Sequence, residues 1–112
     1  MQKPELELHE PSAPWKQVDP HESHGIWEQT LSHDPSERYR TMLQRYDPGA
    51  ATNGGVFTHN YWEEILIISG EITDQTLGKT FSSGAYACRP PGMPHGPYHS
   101  ITGCQMIVFI HP

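Results

Sequence analysis

The chain has 112 residues and a formal net charge of −6, a length that supports one hydrophobic core and therefore one domain. No basic run or Lys/Arg stripe interrupts this acidic balance, so the composition argues against nucleic acid as a partner. The longest apolar run, residues 65–68, is too short to cross a bilayer, and the first residues lack the apolar segment of a signal peptide. These features predict a cytoplasmic protein with no membrane partner.

Residues 1–25 are predicted to form an extended N-terminal arm, because this segment holds four prolines, many charges and few hydrophobic residues. Within the arm, His21 and His24 lie three residues apart. The helical zinc motif requires two histidines four residues apart on a helix. The arm is therefore not expected to bind a metal.

Residues 26–112 are predicted to form an all-β barrel domain, because short apolar runs alternate with turns rich in the 11 prolines and 10 glycines of the chain. Strands are predicted at residues 25–33, 38–46, 56–70, 71–76, 80–82, 85–89, 98–101 and 104–110. The sequence Asp47-Pro48-Gly49 is expected to end the second strand. Strands this short and this regularly punctuated are typical of a sandwich, a jelly roll or a barrel.

The two cysteines, Cys88 and Cys104, fall in two predicted strands. Two cysteines do not make a disulfide framework, and both are predicted to be free thiols. The strand assignment allows them to be neighbours across a sheet. Buried free cysteine usually packs as a small hydrophobic residue, so neither is expected to be catalytic.

The strand predicted at residues 56–70 carries a histidine and a carboxylate on one face, since residues an even number apart share a face. That face contains Phe57, His59, Tyr61, Glu63, Ile65 and Ile67. A charge that points into a barrel must be paired or bound to a metal. An imidazole with a carboxylate suits zinc, iron, manganese or nickel. The alternative is a hydrogen-bonded polar pair at the mouth of the barrel.

A second stretch, residues 84–99, supplies another histidine from a turn rich in proline and glycine, and here the sequence resembles the cupin superfamily. The first cupin motif is G-x5-H-x-H-x(3,4)-E-x6-G, and His59, Glu63 and Gly70 match its second half. The second motif is G-x5-P-x-G-x2-H-x3-N. Residues 84–95 match it in full, and His99 stands in place of its final asparagine.

The resemblance implies a cupin-type double-stranded β-helix, which is a jelly-roll barrel, in a single domain. It also implies a divalent metal ion held by His59, Glu63 and His95. With two histidines and one carboxylate, this set is the triad of non-haem Fe(II) sites. Phe57 stands where the family has its first histidine, and His99 is a candidate to replace that missing ligand.

The paired acidic residues at positions 63–64 and the sequence Pro90-Pro91-Gly92 are similar to the small cupins related to ChrR. That group includes metal-dependent dioxygenases that cleave diketones or aryl ketones. The resemblance therefore implies an oxidoreductase acting on a small carbonyl-containing molecule. A non-redox metal isomerase, cyclase or lyase would use the same ligands. A non-catalytic module that binds a small ligand or metal, and a metal-free barrel in which Glu63 pairs with a cation, also stay open.

Three further residues are candidates for contact with a substrate. Tyr61 is predicted to face inward between His59 and Glu63, where its hydroxyl could bind a substrate or simply be satisfied within the core. Arg89 is a candidate for holding an anionic substrate group, and its alternative is solvent exposure or pairing with a carboxylate. His99 is also a candidate acid or base.

Residues 65–68 are apolar on both faces of their predicted strand, so the outer face requires a cover. The arm with Trp15 could provide that cover, and so could a second subunit. A homodimer is the preferred expectation because it would also protect an exposed sheet edge.

Overall fold

The computed structural model describes residues 2–112, and its eight β-strands join in one sheet that closes into a barrel. The strands are β1 (Lys16–Gln17), β2 (Ser23–His33), β3 (Arg40–Thr52), β4 (Trp62–Asp74), β5 (Lys79–Ser82), β6 (Tyr86–Arg89), β7 (Tyr98–His99) and β8 (Cys104–His111). Within residues 2–112 there is no helix, and so none long and apolar enough to cross a membrane. The predicted all-β single domain is confirmed.

The two longest strands, β3 and β4, organise the barrel. Strand β8 lies between them and pairs antiparallel with both. Strand β2 extends the sheet beyond β3, while β5 and β6 pair with β4, and β7 bridges β3 and β4. Inward-pointing side chains of β2, β3, β4, β6 and β8 therefore surround a common interior, where the core and the cavity described below are found.

The buried apolar side chains follow the two-residue period of the strands, so each strand sends every second side chain into the core. Strand β8 shows this most clearly, with buried and partly buried residues alternating along its length. The buried apolar residues are Ile26, Met42, Tyr46, Ala50, Ile67, Ile72, Tyr98, Cys104, Met106, Val108 and Ile110. They form one cluster inside the barrel, and most of its members also line the cavity.

The two largest errors in the predicted strand boundaries are the end of β3 and the start of β4. Strand β3 continues past Asp47-Pro48-Gly49, because Gly49 bends the chain with φ +84° and its N–H donates to the carbonyl of Ser100, so that pairing passes from β8 to β7. Strand β4 begins at Trp62 rather than at residue 56, since residues 57–61 lie against the proline-glycine turn instead of a neighbouring strand.

Strand β4 also runs through Gly70 to Asp74 without a break. Gly70 has φ +80°, and a Cβ added there would lie 2.1 Å from the carbonyl oxygen of Gly103. Glycine is therefore required at this bend, because any side chain would collide with the backbone of the neighbouring turn. The final glycine of the first cupin motif thus has a packing role in this chain.

The N-terminal arm packs on the β2–β3 side of the barrel. Strand β1 pairs with residues 27–28 of β2, the Trp15 ring lies 4.7 Å from the Arg45 guanidinium, and Gln29 donates to the Ala13 carbonyl. The arm thus does not cover residues 65–68, where Leu66 and Ile68 remain exposed. The division of the chain at residue 25 stays a prediction.

The two cysteines are free thiols, as predicted. They are not neighbours across the sheet. Cys88 lies opposite Glu64 and is exposed, whereas Cys104 lies opposite Tyr46 and Gly70 and is buried. Their strands, β6 and β8, flank β4 on opposite sides and do not pair with one another.

Candidate metal centre

The two sequence motifs meet through backbone hydrogen bonds. The N–H of Phe57 donates to the carbonyl of His95 at 2.9 Å, and the N–H of His95 donates back to Phe57 at 3.0 Å. The N–H of Gly92 donates to the carbonyl of His59 at 2.8 Å. These bonds hold the proline-glycine turn against the segment that precedes β4, and they bring the histidines of both motifs to one place.

His59, Glu63 and His95 converge inside the barrel. The His59 Nε2 lies 3.9 Å from Glu63 Oε2, the His95 Nε2 lies 3.7 Å from Glu63 Oε1, and all three potential ligand atoms lie within 4.8 Å of one another. This is the one such group of histidine, cysteine and acidic side chains within residues 2–112. The predicted sharing of one face by His59 and Glu63 holds, although residues 57–61 are outside β4.

His95 presents a free nitrogen to this group. Its Nδ1 lies 3.0 Å from the carbonyl oxygen of Met93, and because a carbonyl only accepts, Nδ1 carries the hydrogen. The Nε2 lone pair then points toward Glu63, and this buried atom has no hydrogen-bond partner. Burial lowers the pKa of His95, which favours the neutral imidazole that binds metals.

Glu63 is already paired with a cation. Arg89 Nη1 donates to Glu63 Oε1 at 2.7 Å, and both side chains are only 12% exposed. The pairing follows from the register, which sets Glu63 of β4 opposite Arg89 of β6. Arg89 Nη2 also donates to the Tyr98 hydroxyl at 2.8 Å. Pairing with a carboxylate, which was one of the alternatives predicted for Arg89, is therefore what the structure shows.

Phe57 fills the position of the absent histidine. Its ring packs edge-on against the His95 ring with centroids 4.4 Å apart, and it lies 5.5 Å from the His59 ring. A Cβ added to Gly96 would lie 2.6 Å from Phe57 Cε1. The phenyl ring therefore fixes the orientation of the His95 imidazole but offers no ligand atom.

Tyr61 stacks on His59, with ring centroids 4.7 Å apart and an angle of 8° between the planes. Burial, with a contribution from the Glu63 charge, raises the pKa of Tyr61, so its hydroxyl remains a hydrogen-bond donor at neutral pH. The prediction that Tyr61 faces inward beside His59 and Glu63 agrees with this position.

The group borders an interior cavity of about 650 Å³. This volume is within the usual range for small-molecule sites. Apolar and aromatic side chains supply most of its wall, among them Ile26, Met42, Phe57, Ile65, Phe81 and Met106. His59, Glu63, His95 and Arg89 form a polar end of the cavity, and Glu28, Gln44 and Asp74 add further polar groups to its wall.

His99 does not join the group. Tyr98 and His99 are consecutive in β7, so their side chains point to opposite sides, and Tyr98 takes the inward position. His99 is absent from the cavity wall and from the three-residue group, so it does not replace the ligand missing at Phe57. The predicted roles of His99 as ligand, acid or base have no geometric support here.

Several polar residues of the cavity wall were not among the sequence-based candidates. They include Glu28 on β2 and Arg40 and Gln44 on β3. The alternation of residues 40, 42, 44 and 46 carried the signal, because it places Arg40 and Gln44 on the same face as Met42 and Tyr46. Because this face mixes long polar and apolar residues, the sequence pattern did not identify it as the inward face of the strand.

The family of the chain is decided by a sequence match. The model of the ChrR cupin-like domain matches residues 5–112. The chain belongs to the ChrR cupin-like family. No curated protein matches this cupin in sequence.

Solved structures support the fold of this ChrR-type cupin. An RmlC-like cupin from Shewanella frigidimarina NCIMB 400 aligns with a TM-score of 0.73 at 21% identity, over 100% of this chain and 96% of that one. An acetylacetone dioxygenase from Acinetobacter johnsonii aligns with a TM-score of 0.68 at 18% identity, over 96% and 78% of the two chains. The polyketide cyclase RemF from Streptomyces resistomycificus gives 0.73 at 16%, over 95% and 78%. At these identities the likeness establishes the cupin-type barrel.

Proposed function

We propose that this cupin is a metal-dependent enzyme that acts on a small carbonyl-containing molecule of the diketone or aryl-ketone type. The observation that carries the proposal is the convergence of His59, Glu63 and His95 at the polar end of a largely apolar cavity. The similar folds of an acetylacetone dioxygenase and a polyketide cyclase support carbonyl chemistry of either an oxidative or a non-redox kind.

The residues fit a divalent ion on two grounds. The buried His95 Nε2 has no partner in the protein, and two imidazoles with one carboxylate match the donor set of zinc, iron, manganese and nickel sites. A metal held there would act as a Lewis acid on a carbonyl oxygen, and a redox-active metal would add chemistry with dioxygen.

The chain's own residues would orient the substrate. Tyr98 accepts from Arg89, which leaves its hydroxyl hydrogen free to donate to an oxygen in the cavity. Burial raises the pKa of Tyr98, so that hydrogen is retained at neutral pH. Tyr61 offers a second hydroxyl from the other side of His59. Between them the apolar wall excludes water and suits the carbon skeleton of a ketone.

The Arg89–Glu63 ion pair favours a second candidate function, which is binding without turnover. A guanidinium that already neutralises the only carboxylate of the ligand set weakens the attraction for a cation. Together with phenylalanine at position 57, it favours a module that holds a small ligand with a weakly bound metal or none. A metal-free barrel would retain the same ion pair.

Metal analysis followed by a turnover assay tests the enzyme proposal. Purified protein is repleted separately with Fe(II), Mn(II), Ni(II) and Zn(II), desalted and analysed for bound metal. We expect close to one ion per chain for at least one metal, and loss of that ion in His59→Ala and Glu63→Gln. His99→Ala is the matched control and is expected to retain the metal, because His99 lies outside the cavity.

The loaded protein is then incubated with 2,4-pentanedione or 1-phenyl-1,3-butanedione. We expect loss of the diketone absorbance, and oxygen consumption would assign the reaction to a dioxygenase. Turnover without oxygen consumption would assign it to a non-redox lyase, cyclase or isomerase. Absence of bound metal under all four conditions would reject the enzyme proposal and leave the binding module.

We also propose that the protein is a cytoplasmic homodimer formed through the outer face of β4, β6 and β8. This face exposes Trp62, Leu66, Ile68, Tyr86 and Phe109. The arm packs along β2 and β3 and leaves these side chains exposed, so a second copy is the proposed cover. Leu66→Glu should convert the dimer to a monomer in light scattering, whereas Leu77→Glu at an exposed hairpin tip should not. A monomeric wild-type protein would reject this assembly.

A further inference from the structure

A second guanidinium faces the cavity from the opposite side of Glu63. The register places Arg40 of β3 opposite Ile110 of β8, Ile110 opposite Glu63 of β4, and Glu63 opposite Arg89 of β6. These four residues form one row across four neighbouring strands at the polar end of the barrel. Arg40 and Glu63 are two strands apart, which corresponds to roughly 10 Å between their backbones.

Arg89 and Arg40 differ in how their charge is satisfied. Arg89 donates to Glu63 and to Tyr98. Arg40 lines the cavity, its Nε is buried without a hydrogen-bond partner, and no carboxylate among the described residues lies within ion-pair distance of it. Arg40 as a whole is half-buried, and a buried polar atom without a partner is unfavourable, so its Nε favours an acceptor from outside the protein.

The neighbours of Arg40 do not supply that acceptor. Glu28 faces Gln44 across the β2–β3 pair and accepts a long hydrogen bond of 3.4 Å from it. Burial raises the pKa of Glu28, although the Arg40 charge opposes this shift. Gln44 and Tyr61 offer a side-chain amide and a hydroxyl on the same side of the cavity. Glu28 and Glu37 therefore line the same spaces as Arg40, but neither lies within ion-pair distance of its guanidinium.

Arg40 also stands at a boundary between two cavities. Arg40, Tyr61 and Ile110 line the interior cavity and also a smaller one of about 240 Å³ that includes Asn60 and Pro112. Arg40 therefore borders both spaces, and Glu37 and Arg38 also line the smaller one. This location suits a residue that selects ligands by charge.

We propose that Arg40 binds a carboxylate, and that the ligand of this cavity is an oxo-carboxylate with its acid group at β3 and its keto group toward His59 and His95. The second half of this statement rests on the proposed function, whereas the carboxylate site does not require a metal. A planar guanidinium matches a carboxylate through two parallel hydrogen bonds, which a neutral amide cannot reproduce.

Binding of benzoate and benzamide to metal-free protein tests the carboxylate site. The two probes have nearly the same shape and differ in charge. In EDTA-treated wild-type protein, titrations followed by NMR chemical shifts should give a dissociation constant for benzoate at least tenfold lower than that for benzamide. Arg40→Gln should remove this preference, Arg40→Lys should retain part of it, and Arg45→Gln should leave it unchanged because Arg45 lies on the outer face over Trp15.

Equal affinity of the wild type for the two probes would overturn the proposal, and this result does not depend on whether any variant folds. Benzoate preference that survives Arg40→Gln but disappears in Arg89→Gln would also overturn it, because the anion would then bind at the Glu63 end. Because no metal is present, the outcome is separate from that of the metal analysis. A metal-binding protein without benzoate preference would retain the proposed function and lose this inference.

Discussion

Arg89→Met is the substitution that most directly tests how the Arg89 charge affects the metal affinity of this centre. Arg89 Nη1 lies 2.7 Å from Glu63 Oε1. A metal bound to that carboxylate is about 2.1 Å from its oxygen, so the ion and the guanidinium are no farther apart than about 5 Å. We expect removal of the guanidinium charge to tighten metal binding.

The size of this effect follows from the separation. A divalent and a monovalent cation about 5 Å apart repel by about 1.7 kcal/mol even at the dielectric constant of water, and by more in a partly buried site. The lower figure corresponds to roughly a fifteenfold change in affinity. Methionine retains most of the apolar stem of arginine, so the packing changes little. Zn(II) or Mn(II) affinity measured by calorimetry should therefore improve at least tenfold.

The same substitution should weaken the metal-free protein, because Glu63 would lose its partner while 12% exposed. Breaking a buried ion pair costs about 3 kcal/mol. Arg89→Met should thus have a lower melting temperature than wild type without metal and a larger increase when metal is added. Arg45→Met, on the outer face of β3, is the control. Unchanged or weaker metal affinity in Arg89→Met would refute the argument that the Arg89 guanidinium repels a bound metal ion.

Three more predictions concern the surroundings of the site and the fold. Phe57→His should raise Zn(II) affinity by about tenfold or more by adding a nitrogen ligand, whereas Phe57→Leu should not, and equal calorimetric affinities would contradict this. Gly96→Ala should lower the free energy of unfolding by about 2 kcal/mol in urea, and more than Gly92→Ala does, because both glycines have positive φ but only the Cβ at 96 meets Phe57. Hydrogen bonds, led by that from Ser36, lower the pKa of Asp34 to about 2, so its stabilisation is complete above pH 4 and is lost as pH falls toward 2. The loss in melting temperature between pH 5 and pH 2.5 should therefore be smaller in Asp34→Asn, and an equal loss would contradict the role of Asp34.

The candidate metal-ligand set was predictable because alternation in an extended chain does not depend on pairing. Residues 57–61 are not part of a strand, yet Phe57, His59 and Tyr61 still face the cavity with Glu63. The motif spacing added His95, and the backbone bridge to Phe57 explains why that spacing works. The sequence was therefore sufficient to predict which side chains share a face within a single stretch of chain.

The partners across strands were not predictable. The pairing of Glu63 with Arg89 depends on the register between β4 and β6, which no local pattern specifies. The same holds for Arg40, whose place in the cavity follows from two successive registers through β8. His99 was misplaced for the opposite reason. Its motif position suggested a ligand, but the alternation along β7 turns it away once Tyr98 faces inward.

Two features of the site act in the same direction. Phenylalanine at position 57 removes one neutral ligand, and Arg89 neutralises the single anionic one, so both lower the affinity of the site for a cation. Yet His95 retains a buried nitrogen without a partner, which is unfavourable unless something binds there. A cavity in which Arg89 opposes a cation and Arg40 has no carboxylate partner has room for an anionic ligand at β3. Such a ligand would compensate for the weakened metal site by bridging Arg40 and the ion.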